Sequence, residues 1–270
     1  MSVRPMVLLL LLLLLPACGE EMPTIPDRTV VLTFDDASVT HRRFVAPLLK
    51  ERGFCATFFI TARWANVPGQ CMTLEEVAEL HGLGFEVGSH GLNHFTAAHP
   101  QVKSVLPGDL AGLEEGLARV GVPTPVSYAY PGDGFSPGAL EVLTARGYRF
   151  ARRGSGPESP WEEAGLGPAW DPKVHHPLLV PTAATSRGHW TMEELDRALA
   201  LARPGVAVVF QFHGVPSTAN PEVDTPPERF VEFLDRLTEG GYRVLALRDL
   251  DPYVDRENLP EDPLATRTYP

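Results

Sequence analysis

Apolar runs alternate with helical patterns along this chain from residue 27 onward. Residues 29–34 form a continuous run of β-branched and apolar side chains, which is typical of a strand buried on both faces. Such runs recur regularly, and a weaker one at 175–180 is also predicted to be a strand. The predicted strands are therefore residues 29–34, 54–60, 85–88, 126–130, 148–151, 175–180, 206–212 and 242–247. Strands that alternate with helices favour an α/β fold with a mainly parallel sheet.

Helices are predicted between these strands from apolar spacings of three and four residues. Thr73 and Thr191 each stand three residues before a glutamate, which is the signature of a capping box at a helix start. No Gly-x-Gly-x-x-Gly follows any strand, so a dinucleotide-binding open sheet is disfavoured. We predict a single domain, a distorted (β/α) barrel of seven to eight mainly parallel strands.

The first residues are predicted to be an export signal. One cation, Arg4, precedes an apolar run at 7–15, which is far shorter than the roughly 20 residues that cross a bilayer as a helix. Residues 15–18 resemble the bacterial lipoprotein cleavage site and predict a lipid on Cys18, with an ordinary cleaved signal peptide as the alternative. We expect an exported protein, lipid-anchored at the bacterial cell envelope on its periplasmic face or at the cell surface.

The predicted divisions of the chain follow from these patterns. They are residues 1–17 as a lipoprotein-type signal peptide, 18–28 as a tether, 29–250 as the folded domain and 251–270 as a peripheral C-terminal tail. The cysteines that remain, Cys55 and Cys71, have no histidine at zinc-finger spacing, and whether they pair is left open.

The net charge limits the classes of partner. Lys+Arg 23 against Asp+Glu 34 gives −11, which argues against a general nucleic-acid binder and against a polybasic membrane binder. Membrane association is therefore expected only through the N-terminal lipid. An acidic protein can still bind a neutral substrate such as a sugar.

Polar residues follow the ends of several predicted strands, and in a β/α barrel these ends share one rim. The groups concerned are Asp35 and Asp36 after the first strand, His90 and His94 after the third, residues 130–133 after the fourth, and His213 after the seventh. Carboxylate and imidazole are ligands that zinc accepts, and a catalytic zinc site uses three of them. Neighbours on an extended chain point to opposite sides, so Asp35 and Asp36 are expected to perform different tasks.

Four segments resemble the successive motifs of the polysaccharide deacetylase family, the NodB-homology domains of carbohydrate esterase family 4. They are residues 33–37, 88–94, 128–132 and 212–214, and they occur in the order that the family has. The resemblance implies that residues 29–250 are a NodB-like domain holding one divalent metal, usually Zn²⁺, with Co²⁺ or another transition metal as alternatives. It also implies a hydrolase that removes acetyl groups from an N- or O-acetylated glycan.

Carried over residue by residue, the resemblance assigns a role to each group. Asp36, His90 and His94 would bind the metal, whose water attacks the acetyl group. Asp35 would be the general base and His213 the general acid.

A backbone N–H near Tyr130 or Gly132 would stabilise the oxyanion. Two positions depart from the family pattern, because Ala37 stands where a glycine is usual and Ala129 where an arginine often orients the base. Arg152 or Arg153, just after the fifth strand, is a candidate replacement for that arginine.

Two other functions fit the same residues less well. One is a metal-dependent hydrolase of C–N bonds in an amide or imide, built on the same fold. The other is a carbohydrate-binding homologue without catalysis, which the eroded third motif favours. Retention of Asp35 and His213 favours the enzyme, since binding alone needs neither.

Overall fold

The computed structural model describes residues 22–65, 67, 69–159, 165–217 and 221–270. The predicted signal peptide, Cys18, residues 18–21 of the predicted tether and Trp161 lie outside the described residues. The strands are β1 (Thr29–Phe34), β2 (Thr57–Ile60), β3 (Glu86–Ser89), β4 (Ser127–Ala129), β5 (Phe150–Arg152), β6 (Ala184–Thr185), β7 (Val208–Phe212) and β8 (Arg243–Leu245). The α-helices are α1 (Ala46–Glu51), α2 (Leu74–Gly82), α3 (Val102–Arg119), α4 (Pro137–Ala145), α5 (Met192–Leu199) and α6 (Pro227–Glu239).

The described strands form one parallel sheet in the order β5-β4-β3-β2-β1-β7-β6, with β8 paired to the start of β1. The segment that precedes β6 contacts the edge strand β5 on one side and β7 on the other. Val180 N–H donates to Ala151 O of β5 at 2.8 Å, and Ala183 N–H donates to Val209 O of β7 at 2.8 Å. The sheet therefore curls into a distorted barrel, and the predicted fold class is confirmed.

Alternation along β1 assigns its side chains to two layers. Val30, Leu32 and Phe34 belong to the cluster that packs against the surrounding helices, whereas Val31 belongs to the cluster inside the barrel. Both capping boxes predicted from the sequence are present, at the starts of α2 and α5. Because the interior face of β1 continues from Val31 in steps of two, it leads to Asp35 at the rim.

The barrel interior is filled closely by aromatic side chains. A Cβ atom on Gly88 of β3 would lie 2.5 Å from the ring of Phe59 on β2, so only glycine fits beside that ring. Trp170 is fully buried in the same interior cluster and packs edge-to-face on Phe150. This filled interior leaves the rim as the place where a ligand is accommodated.

A buried carboxylate lies inside the barrel at the pole opposite the rim, at the start of β3. Glu86 is 2% exposed and accepts hydrogen bonds from Thr57 Oγ1 at 2.7 Å, Ser127 Oγ at 2.6 Å and Arg248 N–H at 2.9 Å. These bonds join β2, β3, β4 and the segment after β8. The sequence analysis did not single out Glu86.

Two predictions about elements are wrong. Residues 175–180 are not a strand, because Pro177 has no N–H and begins a 3₁₀ turn, Pro177–Leu179, capped by the His176 ring. The sixth strand is instead the short Ala184–Thr185 pair. The C-terminal tail is not peripheral, since Leu264 packs on a buried cluster and Tyr269 pairs with Phe135.

The cysteine pairing that the sequence left open is not formed. Cys55 and Cys71 are both free thiols. Within the described part of the chain, no helix has the length and apolar character needed to cross a membrane.

Candidate active site

A cavity of about 670 Å³ opens at the rim where the parallel strands end. It contains all five side chains predicted to carry the chemistry, together with several that were not predicted. Its lining is Asp35, Asp36, Trp64, His90, His94, Tyr130, Gly132, Asp133, Ser155, Gly156, Gln211, His213, Val223, Tyr269 and Pro270.

The three predicted metal ligands converge in this cavity. The ligand atoms of Asp36, His90 and His94 all lie within 4.8 Å of one another. Asp36 Oδ1 is 3.5 Å from His90 Nε2 and 3.9 Å from His94 Nε2. His90 and His94 thus approach Asp36 closely, although they follow it by 54 and 58 positions in the sequence.

The turn after β1 directs Asp36 into the cavity. Continued alternation would send Asp36 toward the helices, but its φ of 72° and the φ of 53° at Ala37 reverse the chain. This left-handed region favours glycine, which gives a physical reason for the family's glycine at the position of Ala37. Met72 N–H donates to Ala37 O at 2.8 Å and holds the turn in place.

The two histidines present neutral nitrogens. His90 Nδ1 donates to Ala129 O at 2.9 Å, which leaves the Nε2 lone pair directed at Asp36. Burial lowers the pKa of His90 to about 3 and also lowers the pKa of His94. Neutral imidazole is the form that binds a metal.

The loop that carries His94 is held by α3 and by a tryptophan. Asp109 accepts hydrogen bonds from Leu92 N–H at 2.8 Å and Asn93 N–H at 3.0 Å. Trp64 stacks on His94 with 4.8 Å between ring centroids. The sequence analysis identified neither Asp109 nor Trp64 as part of the site.

The donor set fits a divalent cation. Asp36 Oδ1 is buried and has no hydrogen-bond partner among the residues that the structure describes. Burial and the neighbouring charge of Asp35 raise the pKa of Asp36 to about 7, which a bound cation would reverse. One carboxylate and two neutral imidazoles with a further position open match a catalytic zinc site.

Asp35 is a buried carboxylate with a low pKa. Burial alone would raise its pKa, but the charge of Arg152 and further favourable contacts, including a hydrogen bond from Gln211, lower it to about 2. Its Oδ2 accepts from Arg152 Nη2 at 2.5 Å and from Gln211 Nε2 at 2.9 Å. Oδ1 has no such partner among the described residues, so it is the oxygen left to accept a proton.

An arginine of the next strand lies beside the position where the third motif lacks its own. Ala129 on β4 and Arg152 on β5 are directly paired in register, so a side chain at either position reaches the barrel interior. Arg153 points elsewhere and binds Glu158 with both terminal nitrogens, at 2.8 and 2.6 Å. Of the two arginines that the sequence left open, the structure selects Arg152.

The predicted oxyanion contacts are only partly in place. Tyr130 N–H donates to Arg152 O at 3.0 Å within the sheet, and its hydroxyl donates to Leu178 O at 2.8 Å in the outer core. Tyr130 therefore offers the cavity neither its N–H nor its hydroxyl. Since Pro131 has no N–H, Gly132 is the remaining donor of this stretch, and it lines the cavity.

His213 follows β7, which pairs with β1 on the side away from β2 and β3. Its Nε2 is 3.9 Å from Asp36 Oδ2, and its backbone oxygen accepts a hydrogen bond from His41 Nε2 at 2.8 Å. Its Nδ1 is buried without a partner among the described residues, and burial lowers the pKa of the ring. His41 is a further residue that the sequence analysis missed.

The sequence comparisons agree with this geometry. A family model described as "Polysaccharide deacetylase" matches residues 23–151, which include the three predicted metal ligands but not His213. No curated protein matches the chain.

Solved structures share the fold at low identity. A putative polysaccharide deacetylase from Mycobacterium smegmatis is 15% identical with a TM-score of 0.64, over 91% of this chain and 96% of that one. The Xyl-CE4 domain of a xylanase from the hindgut metagenome of Trinervitermes trinervoides is 15% identical with a TM-score of 0.55, over 83% and 89%.

A third similar structure is BA3943 of Bacillus anthracis, described as a CE4 family pseudoenzyme. It is 17% identical with a TM-score of 0.55, and the match covers 83% of this chain but 65% of that protein. The resemblance drawn from the motifs is therefore confirmed: residues 23–151 of this chain match the polysaccharide deacetylase (NodB-homology) family, and the fold is that of the CE4 proteins.

Proposed function

We propose that this chain is a metal-dependent hydrolase that removes acetyl groups from an N- or O-acetylated polysaccharide or oligosaccharide. The observation that carries the proposal is the convergence of Asp36, His90 and His94 within 4.8 Å, beside a buried ionised Asp35. Zn²⁺ is the preferred metal, since two neutral imidazoles and one carboxylate are ligands it accepts.

Asp35 acts as the general base. A divalent ion in this site supplies Lewis acidity, which acidifies water and polarises the acetyl carbonyl. Asp35 Oδ1, free of hydrogen bonds among the described residues, accepts the proton of the attacking water. Arg152 and Gln211 hold the other oxygen and keep the carboxylate oriented throughout.

Gly132 stabilises the oxyanion, and His213 protonates the leaving group. The Gly132 N–H donates a hydrogen bond to the oxyanion that develops as the carbonyl becomes tetrahedral. His213 Nε2 donates a proton to the departing sugar nitrogen or oxygen. The Asp35 charge favours the protonated ring, although burial opposes it.

The inactive alternative is supported by two observations. One CE4 relative is described as a pseudoenzyme, and the third motif here lacks its arginine. We favour the enzyme because Arg152 supplies a guanidinium at the paired position and both proton-transfer residues are retained.

Acetate release tests the proposal directly. Purified protein is incubated with acetylated chito-oligosaccharides and acetylxylan, with chelator, and with chelator followed by Zn²⁺. We expect release that the chelator abolishes and Zn²⁺ restores. Tight glycan binding without release indicates the binding homologue, and activity on a cyclic imide alone indicates the C–N hydrolase.

A further inference from the structure

The C-terminal tail extends from the pole opposite the active site to the cavity rim. At that pole, Arg248 N–H binds the carboxylate of Glu86. Farther on, the side chain of Asp262 accepts from His176 N–H at 3.0 Å and from Leu264 N–H at 2.9 Å, and so starts a 3₁₀ turn, Pro263–Thr266. The tail is therefore fixed to the body of the domain before it reaches the cavity.

Tyr269 is held at the rim by contacts on several sides. Its backbone N–H donates to Phe135 O and its backbone oxygen accepts from Phe135 N–H, both at 2.9 Å. Its ring stacks on the fully buried Phe135 ring with 5.6 Å between centroids. A Cβ on Gly156 would overlap the Tyr269 hydroxyl, so the tyrosine lies directly against that loop.

The loop beside Tyr269 is itself fixed. Arg153, whose side chain is fully buried, donates to the backbone oxygens of Gly154 and Gly156 and pairs with Glu158. Tyr269 and Gly156 both line the cavity that contains the metal-binding residues. This wall is therefore present before any ligand arrives.

Next to this wall lies a carboxylate that the reaction does not use. Asp133 lines the cavity with its side chain 26% exposed, and its Oδ1 accepts from Arg152 Nη1 at 3.2 Å. Among the described residues that line the cavity there is no lysine or arginine. Hydroxyl groups, which donate to carboxylates, suit this surface, whereas an anionic sugar is repelled by it.

We propose that Tyr269 and Asp133 form a subsite for the uncharged sugar unit next to the acetylated one. The inference rests on the proposed function and deepens it, because it assigns substrate class and length preference to named residues. The aromatic ring provides rigid apolar contact area, and Asp133 accepts hydrogen bonds from the sugar hydroxyls.

The test compares substrates that do and do not fill this subsite. The probes are the N-acetylglucosamine dimer and tetramer and p-nitrophenyl acetate, which has no neighbouring sugar. For Tyr269→Ala we expect kcat/KM on the tetramer to fall about tenfold, mainly through KM, with a much smaller fall on p-nitrophenyl acetate. Tyr269→Phe, which keeps the ring, should retain most of the activity and serves if the alanine variant is unstable.

The matched control is Tyr253→Ala, which removes another partly exposed tyrosine of the same tail, at a different cavity away from the metal-binding residues. It should leave all three kcat/KM values at the wild-type level. Equal losses on every probe in Tyr269→Ala, or no loss on the tetramer, would overturn the subsite.

Binding separates this inference from the proposed function. If the wild type releases no acetate from any glycan, the proposed function fails, and calorimetry with the same tetramer then decides the subsite. Binding that weakens about tenfold in Tyr269→Ala retains it. A wild type that binds no tetramer, or that binds a uronate oligomer more tightly, overturns it.

Discussion

At the scale of single residues, the two oxygens of Asp35 have different surroundings. Oδ2 holds both hydrogen bonds, and Oδ1 has no partner within the described part of the chain. An amide in this place keeps the shape of the side chain but is a very weak proton acceptor. We therefore expect that an amide at this position leaves the three proposed metal ligands undisturbed.

For Asp35→Asn we expect the turnover number to fall by about 10²–10⁴-fold, because general base catalysis is lost. The zinc content should stay at the wild-type value, since Asp36, His90 and His94 are unchanged. Steady-state acetate release and metal analysis measure the two quantities. Asp196→Asn on α5, which pairs with Arg236 and does not line the cavity, is the control. Wild-type turnover by Asp35→Asn would refute the base assignment.

Arg152 is the main counter-charge of Asp35, and its register with Ala129 allows a rescue experiment. We expect Arg152→Ala to lower kcat/KM by about 10–100-fold, as the loss of a group that orients a catalytic residue usually does. The double variant Ala129→Arg/Arg152→Ala should recover part of this loss, because the paired position reaches the same interior. Normal activity of Arg152→Ala would contradict the role of Arg152, and a double variant no more active than Arg152→Ala would contradict the rescue.

The sequence predicted the residues that follow a strand directly and missed those that reach the site from elsewhere. Asp35, His90 and His213 stand immediately after buried runs, so the barrel rule located them. Gln211 is 176 residues from Asp35, and no local pattern connects the two. Its position two residues before His213, on the same strand face, is the one signal that was present.

At the scale of elements, the long periodic segments were predicted well and the short ones were not. β6 contains two residues, which is too few to display a period, while the apolar residues around Pro177 imitate a strand. Arg152 and Arg153 were indistinguishable for a related reason. Neighbours on a strand face opposite sides, and only the observed register assigns Arg152 to the interior.

Helix α3 supports the loop that carries His94 through one carboxylate. Asp109 is 5% exposed and accepts from Leu92 N–H, Asn93 N–H and Asn93 Nδ2. For Asp109→Ala we expect zinc affinity to fall about 10–100-fold, because the loop that positions His94 loses its anchor. Competition against a chelating indicator dye measures the affinity.

Glu115→Ala is the control for this prediction, since Glu115 is an exposed residue of the same helix. It should leave zinc affinity unchanged. If Asp109→Ala binds zinc as tightly as the wild type while remaining folded, the loop is held by other contacts and Asp109 has no part in the metal site.

At the scale of the whole molecule, the predicted tether and the active site are at different places on the barrel. Residues 22–25 line a separate cavity with Tyr253 and Asn258, and Ile25 is buried beside the start of the sheet. The three proposed metal ligands lie at the other ends of the strands. We propose that a lipid on Cys18 attaches the protein to the envelope with its active site directed away from the membrane.

The lipid attachment is tested by the membrane partitioning and lipid labelling of a Cys18 variant. Expressed with its own signal in a bacterium, the wild type should partition into the detergent phase and incorporate labelled fatty acid. Cys18→Ser should do neither, because the serine hydroxyl is not the thiol that the lipoprotein pathway acylates. Cys71→Ser is the control, and a wild type without lipid would leave the ordinary signal peptide as the correct interpretation.

Stability also belongs to the whole molecule, and Glu86 links it to pH. Burial raises the pKa of Glu86 in the folded state, although hydrogen bonds from Ser127, Thr57 and Arg248 oppose the shift. The fold therefore favours the protonated form. The contribution of Glu86 to the free energy of unfolding is fully present below pH 4.5, its pKa in the unfolded chain. It is lost as the pH rises through the pKa of Glu86 in the folded state.

Glu86→Gln removes this dependence, because glutamine is neutral at every pH. Its oxygen can accept from Thr57 and Arg248 as Glu86 Oε2 does, and its NH₂ can donate to Ser127 Oγ after that hydroxyl rotates. We expect the free energy of unfolding of Glu86→Gln, relative to that of the wild type, to increase from about pH 4 to about pH 8, so the variant becomes relatively more stable. Urea denaturation of both metal-free proteins measures it, with Glu115→Gln as the pH-independent control. A relative loss of stability with rising pH would mean that the hydrogen bonds outweigh burial and that the folded state favours the carboxylate.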